Sequence, residues 1–320
     1  MALACAALVA AGCGGDNGGG SSGGGGGSQQ ATTVKVGVIP IADVAPLFLG
    51  IKKGFFKQQR LNVKTQFAQG GAVIVPSVVS GDFQFGFSNI VSTLIADSKG
   101  LPLKIVAQGD FGASDPKKAW GVLLVKGNGP IKTAKDLEGK KIAVNTLNNI
   151  CPVTINAALE KRGVDISKIS YREIAFPDML PALQKGEVSA ACEVEPFVTI
   201  GKAQGNRGLA PFYYDTAPHL PVAQYLTTEK YISENPDVVR RFTTAMNKSL
   251  TYAEGHPGEV RAIIPTYTEI DKKTAQQIQL PTFSPQPNRA AERTIANYMV
   301  RYKLIPKVPN LDELTYTPQG

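Results

Sequence analysis

The sequence is poor in the side chains from which most catalytic and metal sites are made. Its two histidines, His219 and His256, lie outside the H-E-x-x-H spacing that aligns two imidazoles on one helix face. No G-x-S-x-G nucleophile elbow, P-loop or C-x-x-C pair occurs. Hydrolytic, phosphoryl-transfer and dithiol chemistries therefore have no foothold, and no cofactor or metal site is expected. Charge of one sign is not concentrated either. The 34 basic residues exceed the 26 acidic ones by eight, but they fall in scattered pairs such as Lys52-Lys53, Lys140-Lys141 and Arg240-Arg241. No basic stripe with interleaved aromatics exists, so nucleic acid is not an expected partner.

What is present is an α/β pattern. The stretch Val34 to Phe56, VKVGVIPIADVAPLFLGIKKGFF, opens as a strand in which Val34, Val36 and Val38 alternate with Lys35 and Gly37. Pro40 ends it, because proline has no ladder donor. A short loop leads to Pro46, placed where a first helical turn tolerates it, and Gly54 closes the helix. Such a unit aims free N–H groups past the carboxyl end of the strand, where open α/β sheets bind ligands.

The alternation continues. Strands are expected at 61–67, 83–87 and 103–108, with helices at 72–79 and 90–98 between them; 110–119 is a polar loop. A second set follows from Trp120, with strands at 120–125, 141–145, 169–174, 188–194 and 209–213. This spacing argues for parallel, doubly wound sheets. One more strand is expected at 222–227, and then helices only, up to a tail without periodicity from Pro306. Those helices lack a sheet of their own, so the chain is expected to return and pack them on the first unit. The expected division is a first lobe at 33–122, a second at 123–221, and a return to the first at 222–320, with crossovers near Leu123 and Val222.

At the N-terminus, residues 1–12 read as a signal-peptide h-region, too short to span a bilayer, although no Lys or Arg precedes the apolar run. The segment Ala10-Ala11-Gly12-Cys13 resembles the lipobox of bacterial lipoproteins. That resemblance implies cleavage before Cys13, lipidation of its thiol and a membrane anchor outside the cytoplasm. Residues 13–32 then form a flexible Gly/Ser-rich tether, since such a composition buries no apolar surface. Of the four cysteines, Cys151 and Cys192 remain in the folded part. An exported pair either bridges or stays as two buried thiols, and sequence does not choose.

The chain also resembles a known family. The segments that carry the likeness are Ala45-Pro46 with Lys53-Gly54-Phe55-Phe56, then Ser80-Gly81-Asp82-Phe83 with Gly86-Phe87-Ser88-Asn89. Further on come Asp136-Leu137-Glu138-Gly139-Lys140-Lys141, Leu183-Gln184-Lys185-Gly186-Glu187-Val188 and Glu195-Pro196-Phe197. In this order they are similar to solute-binding proteins of bacterial ABC importers, of the nitrate, sulfonate, taurine and thiamine-precursor type. The resemblance implies a two-lobed, type II periplasmic-binding-protein fold, α/β, with two doubly wound sheets joined by two hinge crossovers. It also implies a monomer that closes on a small-molecule ligand and delivers it to the transmembrane subunits of a permease. Single-turnover enzymes of thiamine-pyrimidine synthesis share the fold. They carry a cysteine-rich motif that Cys151 alone does not supply, so an enzyme is the alternative rather than the expectation.

Loops at strand ends supply the candidate ligand contacts. In the first lobe these are Ile41, Ala42 and Asp43, then Gly70 and Gly71, then Ser88 and Asn89. Helix capping explains the last pair equally well, and a positive-φ turn explains the glycines. In the second lobe they are Asn145, Thr146, Asn149 and Cys151, then Phe176 and Asp178, then Glu193 and Glu195. Two carboxylates two residues apart on a strand share a face, which places both in the cleft or both in a rim salt bridge. The candidate loops hold acids and no arginine. An amine or pyrimidine-type ligand is therefore expected ahead of a sulfonate or nitrate, with Phe176 or Trp120 available to stack on a ring.

Overall fold

The structure is a computed structural model that describes residues 30–317. The signal-like run, Cys13 and the Gly/Ser tract through residue 29 lie outside the described residues. Among the described residues eleven strands form two sheets. They are β1 Thr32–Val38, β2 Leu61–Phe67, β3 Phe85–Asn89, β4 Leu103–Phe111, β5 Gly121–Lys126, β6 Lys141–Val144, β7 Ser170–Glu173, β8 Ala190–Val194, β9 Asn206–Ala210, β10 Pro221–Thr228 and β11 Thr282–Phe283. The first sheet has the order β11-β4-β10-β3-β1-β2, and the second β7-β6-β8-β5-β9. Each sheet with its helices is one lobe, which gives the two-lobed α/β architecture that the resemblance implies.

The local rules act as expected in the first unit. Val34, Val36 and Val38 are buried while Lys35 is exposed. The helix Ala45–Lys52 carries proline in its first turn, and Gly54 adopts φ 75°, a left-handed geometry that costs glycine nothing. β1 pairs in parallel with β2 and β3. Helix Pro236–Gly255 returns to this lobe and buries Val239, Phe242, Met246 and Leu250, with the Phe242 ring stacked on Phe85 at 3.8 Å.

Four expectations need correction. The sheets are mixed rather than parallel: β10 runs antiparallel to β3 and β4, and β5 antiparallel to β8 and β9. A strand that enters a sheet from the other lobe arrives against the direction set by the βα units. The strand expected at 209–213 ends at Ala210. Pro211 cannot continue a ladder, and Phe212–Thr216 forms a short helix instead. The C-terminal part is not purely helical. β11 pairs with Phe111 and Asp110, and the aperiodic tail pairs with Ile105, whose N–H donates to the Leu314 carbonyl at 2.8 Å. The edge of β4 offers backbone donors and acceptors that have to be matched.

The fourth correction concerns Asp110, expected in a loop. β4 runs through to Phe111, and its register against β10 slips by one residue, Gln224 facing Gln108 and Ala223 facing Asp110. Gly109 is the extra residue of this bulge. A Cβ there would lie 2.6 Å from the Ala223 carbonyl oxygen. The slip puts Asp110 on the opposite face from Gln108, so the bulge aims the carboxyl. Gly109→Ala is expected to lower stability by about 1–3 kcal/mol, because backbone rather than a flexible side chain has to give way. A urea denaturation midpoint equal to wild type would show that the bulge relaxes freely.

Candidate functional site

The carboxyl ends of β1, β3, β6 and β8 meet where the lobes face each other. A small, partly open cavity of about 20 Å³ lies there, room for roughly one water. Ile39, Ile41, Asp43, Asn89, Asn145, Asn149, Cys151, Phe176, Val194 and Tyr213 line it together with Phe87 and the start of β10. A larger opening of about 290 Å³ adjoins it and shares Ile39, Ile41 and Phe176. Its other walls include Phe67, Gln69 and Phe197, so it is apolar on both lobes.

The lobes touch through short polar contacts around this cavity. Asn89 caps helix Ile90–Ser98 through Oδ1, which accepts from the Ser92 N–H, and its Nδ2 donates to Asn149 Oδ1 across the cleft at 2.7 Å. Asn149 in turn caps helix Ile150–Glu160 and donates to Thr146 Oγ1. Gln69 Nε2 donates to the Asn145 carbonyl at 2.7 Å. The Ala42 N–H donates to the Glu195 carbonyl at 2.9 Å. Capping and cross-lobe contact are thus made by the same asparagines.

The glycines have a simpler role than a turn. Gly70 is extended at φ 173°, and a Cβ there would lie 2.8 Å from Asn145 Nδ2. At Gly71 it would lie 2.3 Å from Ser88 Oγ. Both allow close approach, one between lobes and one between helix and sheet. Ser88 is fully buried beneath Gly71 and is not a cavity-lining residue.

The acidic residues separate. Glu195 has its carboxylate occupied. Its oxygens accept from the Thr199 N–H at 3.0 Å, the Thr199 hydroxyl at 2.8 Å and the Gln279 N–H at 3.2 Å, which ties the second lobe to the C-terminal part. Glu193 points elsewhere. It faces Val122 in the β5–β8 register, it does not line the cavity, and its buried oxygens have no hydrogen-bond partner among the described residues. Burial holds it protonated well above the usual range. The shared face expected for the pair is absent because β8 ends at Val194, and alternation does not carry past a strand end. Asp178 is exposed in the first turn of helix Phe176–Lys185. Trp120 is buried between the lobes, donating from Nε1 to the Phe111 carbonyl at 3.0 Å. Cys151 and Cys192 are joined in a disulfide that ties helix Ile150–Glu160 to β8.

Asp43 lines the cavity, and its Oδ1 has no partner among the described residues. Beside it stands Asp110, fully buried. Neither Asp110 oxygen meets a donor, so the two carboxyls can bond only by sharing a proton. Burial raises Asp43 from its usual 3.8 to about 7, with Glu195 adding to the effect and hydrogen bonds from its own backbone and from Asp110 opposing it. Burial, then the charge of Asp43 and the hydrogen bond to it, raise Asp110 well above its usual value. The two carboxyls therefore titrate as a pair and share a proton. The hydroxyls of Tyr213, Tyr225 and Tyr267 surround the pair and are raised by burial first and by this acidity second. No lysine, arginine or histidine lines the cavity. Asp110 and the three tyrosines were absent from the sequence reading. Glycine inside an apolar strand, at Gly109, was the one available sign of a bulge.

A family model described as NMT1/THI5 like matches residues 41–260. The chain belongs to the NMT1/THI5-like family. Among curated relatives, a 4-amino-5-hydroxymethyl-2-methylpyrimidine phosphate synthase of Candida albicans is 24% identical over 233 residues, 68% of this chain. The chain spans only 65% of that synthase's length. A putative aliphatic sulfonates-binding protein of Bacillus subtilis is 22% identical over 239 residues, covering 73% of this chain and 70% of that one. Among solved structures, the alkanesulfonate-binding protein SsuA from Xanthomonas axonopodis pv. citri bound to MOPS superposes with a TM-score of 0.74 at 18% identity, over 90% of this chain and 99% of that one. The periplasmic nitrate-binding protein NrtA from Synechocystis gives 0.73 at 15% identity, over 86% and 83%. The proteins that this chain is similar to thus include some named as binders and some named as synthases, and the solved structures share its fold. Among the described residues no helix is long and apolar enough to cross a membrane, and no group of three or more histidines, cysteines and acids is placed to hold a metal ion.

The acid pair makes stability pH-dependent with a definite sign. Because Asp43 is raised on folding, the folded state binds the proton that the unfolded chain releases between 3.8 and about 7. Its contribution is complete below the lower value and is lost as pH rises through the upper one. The urea midpoint is expected to fall between pH 5 and pH 8, and Asp43→Asn to flatten that fall. A slope unchanged in the variant would show that other groups carry it.

Proposed function

We propose that the protein is the extracytoplasmic solute-binding component of an ABC importer, and that it binds rather than transforms its ligand. The observation that carries this reading is the cavity between the lobes, bounded by both of them and lined by the unpartnered Asp43 Oδ1. The same cavity favours a ligand that donates hydrogen bonds or carries positive charge, an amine or an aminopyrimidine, over a sulfonate or nitrate. An anion there would face Asp43 with no cation to balance it. Asn145, whose Oδ1 has no partner among the described residues, offers a second acceptor beside Asp43.

Ligand contacts made by both lobes stabilise the closed arrangement over an open one, which is a population shift. The closed protein then docks on the permease. Lipidation at Cys13 would hold it at the membrane surface. Catalysis by imidazole has no support at this site: the His219 ring stacks on Phe111 and His256 stacks on Tyr252, and neither lines the cavity.

A thermal-shift panel on the purified protein tests this. It would hold aminopyrimidines, simple amines, alkanesulfonates, taurine and nitrate. A ligand that binds only the folded state raises Tm, by about 2.7 kcal/mol of stabilisation at a hundredfold excess over Kd. The expected hit is an amine or aminopyrimidine. A sulfonate or nitrate hit would overturn the ligand class and keep the binding role, and turnover of a hit would overturn the binder reading.

A further inference from the structure

The inner cavity and the opening beside it differ in size and chemistry. The inner one, about 20 Å³, admits a group the size of a water molecule, such as an ammonium. Its acceptor is Asp43, only 3% exposed, with Oδ1 unpartnered. Phe87 and Tyr213 also line it, and their rings attract a cation. The opening, about 290 Å³, is the size of a small ring and has no charged residue in its walls. Phe176 forms a wall of both spaces and lies parallel to Phe197 at 6.1 Å, while Phe67 stands at the rim, 54% exposed. Its exposed face is free to pack against an apolar ring. The two spaces adjoin and share Ile39, Ile41 and Phe176 as walls, so one molecule can serve both.

We infer that the ligand is a small organic cation with an apolar ring, its ammonium group held in the inner cavity by Asp43 and its ring held in the opening by Phe67, Phe176 and Phe197. This rests on the solute-binding reading and names the ligand class for that same site. A short cation would fill the inner cavity and leave the aromatic walls in water. A ring bearing an anion would fill the opening and set its charge against Asp43. A neutral ring alcohol would keep the ring contacts and lose the charge-assisted bond, the stronger of the polar terms.

Titration calorimetry of the full chain with four probes tests it: benzylamine, methylamine, benzyl alcohol and benzenesulfonate. Benzylamine is expected to bind more tightly than methylamine by about tenfold or more, from the ring area removed from water, and than benzyl alcohol by about tenfold or more, from the charged hydrogen bond. Asp43→Asn, which relieves the buried acid pair and keeps the side-chain shape, should erase the preference for benzylamine over benzyl alcohol. Phe67→Ala, at an exposed position, should weaken both ring compounds and leave methylamine unchanged. Benzylamine binding unchanged in Asp43→Asn, or methylamine binding as tightly as benzylamine, overturns the inference. Benzenesulfonate binding in place of benzylamine also overturns it while leaving the solute-binding reading intact. Silence from all four probes overturns it too, and the wider panel of sulfonates, nitrate and aminopyrimidines then decides the solute-binding reading separately.

Discussion

Two carboxyl groups buried against each other without a cation are the constraint to which the rest of the site answers. Asp43 is almost wholly buried and Asp110 fully so, and no lysine or arginine lines the space beside them. A shared proton lowers the charge of the pair, and an unpartnered oxygen of Asp43 faces the space between the lobes. A fold that only had to be stable would replace such a pair with apolar residues at little cost. Here the pair is present, at the meeting point of the two lobes.

The elements that deliver the pair come from distant parts of the chain. Asp43 sits in the turn after β1, and Asp110 near the end of β4 beyond the Gly109 bulge. Tyr213 comes from the short helix that follows β9, and Tyr267 from the C-terminal part, where its hydroxyl donates to the Ile41 carbonyl at 3.1 Å. The two lobes meet through close backbone and side-chain contacts. Gly70 gives Asn145 room, Ala42 donates to Glu195, and the asparagine caps of two helices bond to each other across the gap. The disulfide between Cys151 and Cys192 anchors the helix whose cap is one of those asparagines. A second line of contact lies away from the cleft, where Arg301 and Tyr302 both bond to Glu160 of the second lobe.

Much of this was legible in the sequence. The period-two pattern of Val34, Val36 and Val38, the stop at Pro40 and the cap at Gly54 specify a βα unit through local sterics and hydrogen bonding alone. The repeated alternation specifies an α/β chain, and the ordered segments from Ala45-Pro46 to Glu195-Pro196 suffice for the family. Loops at strand ends located Asp43, Asn89, Asn145, Asn149, Cys151 and Phe176, because in such sheets those ends are where backbone groups are free.

What only the tertiary structure decided is which of the polar residues face one another. Glu193 and Glu195 look alike in sequence, yet one is packed inside the second lobe and the other is consumed by Thr199 and Gln279. Asp110 looked like loop and is half of the acid pair, because a one-residue slip against β10 turns its face. The direction of β5 and β10 and the pairing of Cys151 with Cys192 belong to the same class. Local sequence determines the elements because their hydrogen bonds close within a few residues. Register, lobe contact and the neighbours of a buried charge are set by groups a hundred or more residues away, and only the folded chain brings those together.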